Sequence, residues 1–153
     1  MTTSEMKVRL ASAGDAPAIM KIETASFSDA WSEEAVYDAL AGKFYHFYVA
    51  ELLGKACAYA IIRVAAGEAE LLRFAVSKEY RGMGLGNRLA ELLVKEEKKA
   101  GSESIFLEVR ESNNPAIRSY KHAGFFTAGK RRGFYHNPDE DALLMKIELK
   151  EEN

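Results

Sequence analysis

Leu85, Leu89, Leu92 and Leu93 stand at i, i+4, i+7 and i+8, which winds them into one stripe of an amphipathic helix. Lys95, Lys98 and Lys99 fall in its last turns, at the negative end of the helix dipole, and Gly101 can terminate it. Earlier in the chain the period is different. Val8 to Leu10 reads as a short strand, and Asp15 as the N-cap of a first helix with Pro17 in its opening turn and Ile19, Met20, Ile22 and Phe27 near one face. Ser32 caps a second helix whose first turn carries Glu33 and Glu34. The aromatic and β-branched runs FYHFYVAEL and ACAYAIIRV, separated around Leu53-Gly54-Lys55, predict a hairpin, and a turn at Ala65-Ala66-Gly67 adds EAELLRFAV as a third antiparallel strand. After the leucine helix come a strand, SIFLEV, and a helix capped by Asn114, with Pro115 at its first position and Gly124 as its stop. Two closing strands, Phe125 to Lys130 and Ala142 to Leu149, flank a polar loop containing Asn137-Pro138-Asp139, and Lys150 to Asn153 is a solvated tail. This order predicts an α+β or α/β fold, a sheet with helices on its faces.

Composition narrows the function classes. With 153 residues, 48% of them hydrophobic, the chain suffices for one domain with a real core and is too short for two. Lysine and arginine number 21 against 23 aspartates and glutamates, so no global positive field favours a nucleic acid. No apolar run approaches the roughly 18 residues of a membrane span, and Met1 to Leu10 lacks the apolar core of a signal peptide. The lone Cys57 has no partner for an intramolecular disulfide and reads as a small buried hydrophobe. The expected compartment is the cytosol. His46, His122 and His136 are scattered, which predicts no metal site, and Lys95-Glu96-Glu97-Lys98-Lys99 reads as a solvated helix face.

Between the third strand of the meander and the leucine helix lies EYRGMGLGNR, with Gly82, Gly84 and Gly86 at alternate positions. Glycine there costs chain entropy and permits positive φ and close approach of a ligand to the backbone. A strand, a glycine-rich turn and a helix N-terminus together present a row of backbone N–H groups, which is phosphate-binding geometry. A P-loop is excluded because Asn87-Arg88 follows Gly86 in place of Lys-Ser/Thr, and a dinucleotide fingerprint because Asn87 stands where glycine or alanine is needed.

The remaining pattern, Arg81-x-x-Gly84-x-Gly86 behind a strand and ahead of an amphipathic helix, resembles the pyrophosphate-binding motif of the GNAT superfamily of acetyltransferases. The resemblance implies a single domain over residues 1–153 with a mixed, mostly antiparallel sheet of about seven strands flanked by about four helices. It implies acetyl-coenzyme A as cofactor. The diphosphate would be held by Arg81, Gly82, Met83, Gly84, Leu85, Gly86 and Asn87, and the pantetheine arm by the backbone of Phe74, Ala75 and Val76. The run Leu107-Glu108-Val109-Arg110, then Ser112-Asn113, Tyr120 and Gly124-Phe125, is similar to the ribosomal-protein-alanine N-acetyltransferase subgroup. FSDAWSEEAV resembles that subgroup's Phe-x-x-x-Trp-Ser element, with Ala30 where proline is frequent. RRGFYHNPDEDALLM resembles its Arg-Arg-aromatic-Tyr ending, with Phe134 where tyrosine is common.

What the resemblance implies for chemistry is an acetyl transfer to the N-terminal α-amine of a ribosomal protein, by direct attack in a ternary complex. Glu108 would be the base acting on the amine, through water, and Tyr120 the acid for the departing thiolate and a cofactor neighbour. Asn113 corresponds to a further cofactor contact, and Trp31, Phe134 and Tyr135 to the acceptor side. An α-amine, with a pKa of about 7.7 to 8.0, needs less help to become neutral than a lysine at about 10.4. A GNAT enzyme acting on a lysine or small amine is the second reading. A non-catalytic acyl-coenzyme A sensor, or an RNA binder using KRRGFYH, is the third.

Overall fold

The computed structural model describes residues 5–150; the first four residues and the last three of the expected tail lie outside them. In chain order the elements are β1 (Lys7–Leu10), α1 (Ala16–Ser26), α2 (Glu33–Ala41), β2 (Tyr45–Leu52), β3 (Lys55–Ala65), β4 (Glu68–Val76), α3 (Leu85–Lys99), β5 (Ser104–Arg110), α4 (Asn114–His122), β6 (Phe126–Tyr135) and β7 (Glu140–Glu148). The strands form a seven-stranded sheet in the order β1-β2-β3-β4-β5-β7-β6. Only the β4–β5 pair is parallel, because α3 carries the chain across between them.

Side chains alternate between two cores. Cys57, Ala58, Ala60 and Ile62 of β3 pack with Leu85, Leu89 and Leu93 of α3 and Ile117 and Tyr120 of α4. Tyr59 and Ile61 pack with Ile19 and Ile22 of α1 and Val36 and Ala39 of α2. The helices thus cover opposite faces of the sheet, α1 and α2 on one, α3 and α4 on the other. Ser32 caps α2 as expected, accepting from the Ala35 N–H at 3.1 Å.

Several expectations change. Asp15 is the N-cap residue of α1 as expected, but its side chain makes no hydrogen bond to that helix: its carboxylate takes the Arg9 guanidinium at 2.9 Å and the Ser12 N–H at 2.8 Å, which fixes the turn before α1. Phe27 lies just past the end of α1, in extended conformation. The cap of α4 is Asn113, whose Oδ1 accepts from the Ala116 N–H at 3.3 Å, so Asn114 and Pro115 sit inside the helix. β6 runs on to Tyr135, leaving only residues 136–139 as the turn. Glu97 is not on a solvated face. It is fully buried, and its carboxylate takes the Tyr48 hydroxyl at 2.6 Å, the His46 Nδ1 at 2.7 Å and the Ser102 hydroxyl at 2.7 Å.

Candidate active site

The ladder between β4 and β5 runs from Glu68–Ser104 to Leu71–Leu107 and stops. At that point β4 carries a bulge: Leu71 faces Ile62 and Arg73 faces Ile61, so Leu72 is the extra residue. A bulge bends its strand, and beyond it the two parallel strands separate. Between their carboxyl ends opens a cleft of about 220 Å³, lined from both faces of the sheet. The edge of β4 from residue 72 to 76 has no strand partner on this side. An extended ligand carrying amides can hydrogen-bond along such an edge.

At the end of β4 a short turn, Lys78–Tyr80, leads into the glycine loop. Gly82 and Gly84 adopt φ of 81° and 77°, a region in which a side chain is strained. Among the described residues, no group accepts a hydrogen bond from the backbone N–H of residues 82 to 87, and the first helical bond of α3 runs from Arg88 N to Gly84 O. Six amides at the positive end of a fifteen-residue helix suit a diphosphate. Gly86 has a different reason to lack a side chain. A Cβ there would come within 2.8 Å of Ser119 Oγ, so this glycine lets α3 and α4 approach, and Ser119 hydrogen-bonds Asn87 Oδ1 at 3.0 Å. The Arg81 side chain turns back from the loop, donating to Val76 O at 3.1 Å and Ser26 Oγ at 3.2 Å. It ties the loop to β4 and to α1.

Of the residues expected to act, Phe74, Glu108, Asn113, Tyr120 and Tyr135 line the cleft. Tyr120, from α4, packs edge-on to Phe74, with centroids 5.1 Å apart, and against Phe125 at 5.6 Å. Burial pushes its phenol well above the ordinary range, and Tyr135 adds to the shift, so it is a proton donor throughout the neutral range. Glu108, with 18% of its side chain exposed, takes Arg131 Nη1 at 2.7 Å. Tyr135 is pushed up to about 12 by burial and then by the Glu108 charge, against the nearby Arg110. Asn113 spends its side-chain oxygen on the α4 cap, which leaves its amide N–H₂ for a ligand. Trp31 and Phe134 do not line the cleft: Phe134 lies under the Arg131 guanidinium at 4.6 Å and edge-on to Tyr135, and Trp31 is anchored behind the wall by a hydrogen bond from its backbone N–H to Glu23 at 2.8 Å.

Three charged side chains at the cleft were not singled out from the sequence as site residues. Arg110 donates to the carbonyls of Pro138 and His136 at 2.8 and 2.9 Å and covers the Tyr135 ring at 4.5 Å, which holds the β6–β7 turn against β5. Arg131 pairs with Glu108. Arg73 lines the cleft from β4 and reaches the buried Glu23. The doubled leucine in Leu71-Leu72-Arg73 interrupts strand alternation, and was the one available signal of a bulge that would re-aim Arg73.

A row of open amides beside an unpaired strand edge, leading to a carboxylate and a protonated phenol, is an arrangement suited to an enzyme that transfers an acyl group from coenzyme A. Comparison with known proteins agrees. The sequence profile of the acetyltransferase (GNAT) family matches residues 16–125, and the chain belongs to that family. It is an N-acetyltransferase, and enzymes of this family use acetyl-coenzyme A. The chain is 36% identical over 137 residues to the [ribosomal protein bS18]-alanine N-acetyltransferase of Escherichia coli K12, covering 88% of this chain and 92% of that one. The crystal structure of the ribosomal-protein-S18-alanine N-acetyltransferase from Escherichia coli superposes with a TM-score of 0.88 at 33% identity, covering 97% and 96% of the two chains. Ard1 from Thermoplasma volcanium superposes with a TM-score of 0.84 at 25% identity, over 96% and 99%. Among the described residues, no helix is long and apolar enough to cross a membrane.

Proposed function

We propose that this enzyme acetylates the N-terminal α-amine of a ribosomal protein, with alanine as the acceptor residue, by direct attack within a ternary complex. The observation that carries the reading is the arrival of Glu108 and Tyr120 in one cleft from opposite faces of the sheet, in a chain whose relatives bear the names given above. Acetyl-coenzyme A, when bound, supplies an activated thioester. The open amides of residues 82 to 87 and the unpaired edge of β4 fit its diphosphate and its amide-bearing arm. Glu108 takes the proton of the attacking amine, directly or through a water, and Tyr120 gives its proton to the departing sulfur. The donor lies on the α3–α4 side and the amine enters from the α1–α2 side, past Phe27 and Asp29. Cys57 is fully buried with a thiol pushed up by burial, which makes it a poor nucleophile for an acetyl-enzyme route.

The test is a panel of peptides beginning with Ala, Ser or Met, and one with a blocked N-terminus and a free lysine, read by intact mass. Alanine α-amine acetylation is expected, with intersecting initial-rate patterns. Preferential modification of the lysine peptide or of a polyamine would overturn the acceptor assignment.

A further inference from the structure

Arg73, which lines the cleft, and Glu23, buried behind it, are a charged pair that the transfer chemistry leaves unused. Glu23 is fully buried. Its carboxylate accepts the Trp31 backbone N–H at 2.8 Å and the Tyr59 hydroxyl, and Arg73 Nε lies 3.2 Å away in an ion pair too bent to be a hydrogen bond. Arg73 Nη2 donates to the Asp29 carbonyl at 2.8 Å, and its guanidinium lies 4.3 Å from the Phe27 ring centroid and 5.9 Å from that of Trp31. Apart from Tyr59, these contacts bind the segment 27–31, which has no helix or strand of its own.

The bulge is what makes this possible. Leu71 and Phe74 pack on the α3–α4 side, whereas the consecutive Leu72 and Arg73 both reach the α1–α2 side. Regular alternation would put one of that pair on the opposite face. The segment so held supplies Phe27, Ser28 and Asp29 to the cleft, on the side opposite Tyr120.

We propose that Arg73, clasped by Glu23, is a positioning residue that fixes the 27–31 segment as the acceptor wall and thereby governs capture of the amine, not of the cofactor. The inference rests on the reading that the amine enters from the α1–α2 side. A wall that is set before the acceptor arrives lowers the ordering cost of binding, and a loosened wall raises acceptor KM while the reacting groups stay in place.

The experiment compares Arg73→Met and Arg73→Lys with the wild-type enzyme in acceptor KM and kcat at saturating acetyl-coenzyme A, in acetyl-coenzyme A affinity by calorimetry, and in acrylamide quenching of Trp31, the sole tryptophan. For Arg73→Met the expected result is an acceptor KM raised about tenfold or more, kcat within about threefold, cofactor affinity within about twofold, and stronger Trp31 quenching. Arg73→Lys, which keeps the charge without the planar fork, should recover part of the KM. A wild-type KM in Arg73→Met, a loss confined to kcat, or a parallel loss of cofactor affinity would overturn the proposal. Should the Met variant not fold, a wild-type KM in Arg73→Lys would overturn it equally. If the wild-type enzyme prefers another amine, KM is read with that amine: the N-terminal assignment then fails by itself, and the role of Arg73 is still decided.

Discussion

Replacing Tyr120 with phenylalanine removes one oxygen and leaves the ring in place. The phenol makes no hydrogen bond among the described residues, its raised pKa arising from burial and from Tyr135. The ring contacts with Phe74 at 5.1 Å and Phe125 at 5.6 Å involve only carbon and persist in the variant. The loss of fold stability is therefore less than about 1 kcal/mol, because no protein hydrogen bond is broken and no acceptor is stranded. Chemistry is affected differently. A positioned general acid contributes about 10² to 10⁴ in rate, or about 3 to 5 kcal/mol of barrier. The prediction is that Tyr120→Phe melts within a few degrees of wild type, binds acetyl-coenzyme A within about twofold, and releases coenzyme A at least about a hundredfold more slowly in a thiol-release assay. The two magnitudes are far enough apart to be separated in one preparation. Because the phenol is held above its ordinary range, the wild-type rate should show no alkaline decline from this group below about pH 10. Turnover of the variant within twofold of wild type, or a rate loss matched by a loss of cofactor affinity, would refute the assignment of Tyr120 as the acid.

Glu108→Gln keeps the shape of the side chain and should lower kcat by about a hundredfold with cofactor affinity unchanged; equal turnover would remove the base from the mechanism. Glu97→Ala strands the buried Tyr48 and Ser102 hydroxyls and should cost about 3 kcal/mol. That loss lowers the melting temperature by about 6 to 12 °C for a chain of this size, and a shift under 2 °C would show that the network is slack. The phenols of Tyr48 and Tyr59 are raised by burial and then by their hydrogen bonds to Glu97 and Glu23, and that of Tyr120 by burial and then by Tyr135. Folding therefore favours their protonated forms, and the stability this contributes is complete below about pH 10 and lost as pH rises further. Melting curves from pH 8 to 11, read alongside tyrosinate absorbance, should show the decline, and a flat profile would contradict it.

Much of this could be read from the chain because it is local. The leucine stripe is buried where its period put it, with Leu85, Leu89 and Leu93 in the core. The loop glycines at 82 and 84 take the positive φ that their placement suggested. Phe74, Glu108, Asn113, Tyr120 and Tyr135, drawn from four elements, arrive at one cleft. What escaped the reading depends on partners distant in sequence. Glu97 looks like one charge in a solvated run until Tyr48 and His46, about fifty residues earlier, are folded against it. Glu23 and Arg73 are fifty positions apart and acquire meaning only together. Gly86 sits in a motif that suggests bare amides, yet the helix it belongs to also needs it for the approach of Ser119. The cap of α4 falls at Asn113, one residue before the expected Asn114, because two asparagines precede Pro115 and local pattern does not choose between them.

The separation of β4 and β5 would let the proposed base and acid, which come from opposite faces of a sheet, serve one reaction. Ile105, Leu107 and Val109 point into the core beneath α3 and α4, so strand alternation sends Glu108 to the other face, while Tyr120 belongs to the α3–α4 core. Across a continuous sheet these two groups would be insulated from each other by a layer of backbone. Ending the ladder at Leu71–Leu107 removes that layer between Glu108 and Tyr120. In the proposed mechanism the amine would lose its proton on one side while the sulfur gains one on the other, and the two proton paths would not cross. Register is therefore the sensitive quantity. A slip of one residue in β5 would bury Glu108 among leucines and expose Leu107 to the acceptor, whereas seven consecutive pairs with β7, from Ser104–Glu148 to Arg110–Ala142, hold the strand in place.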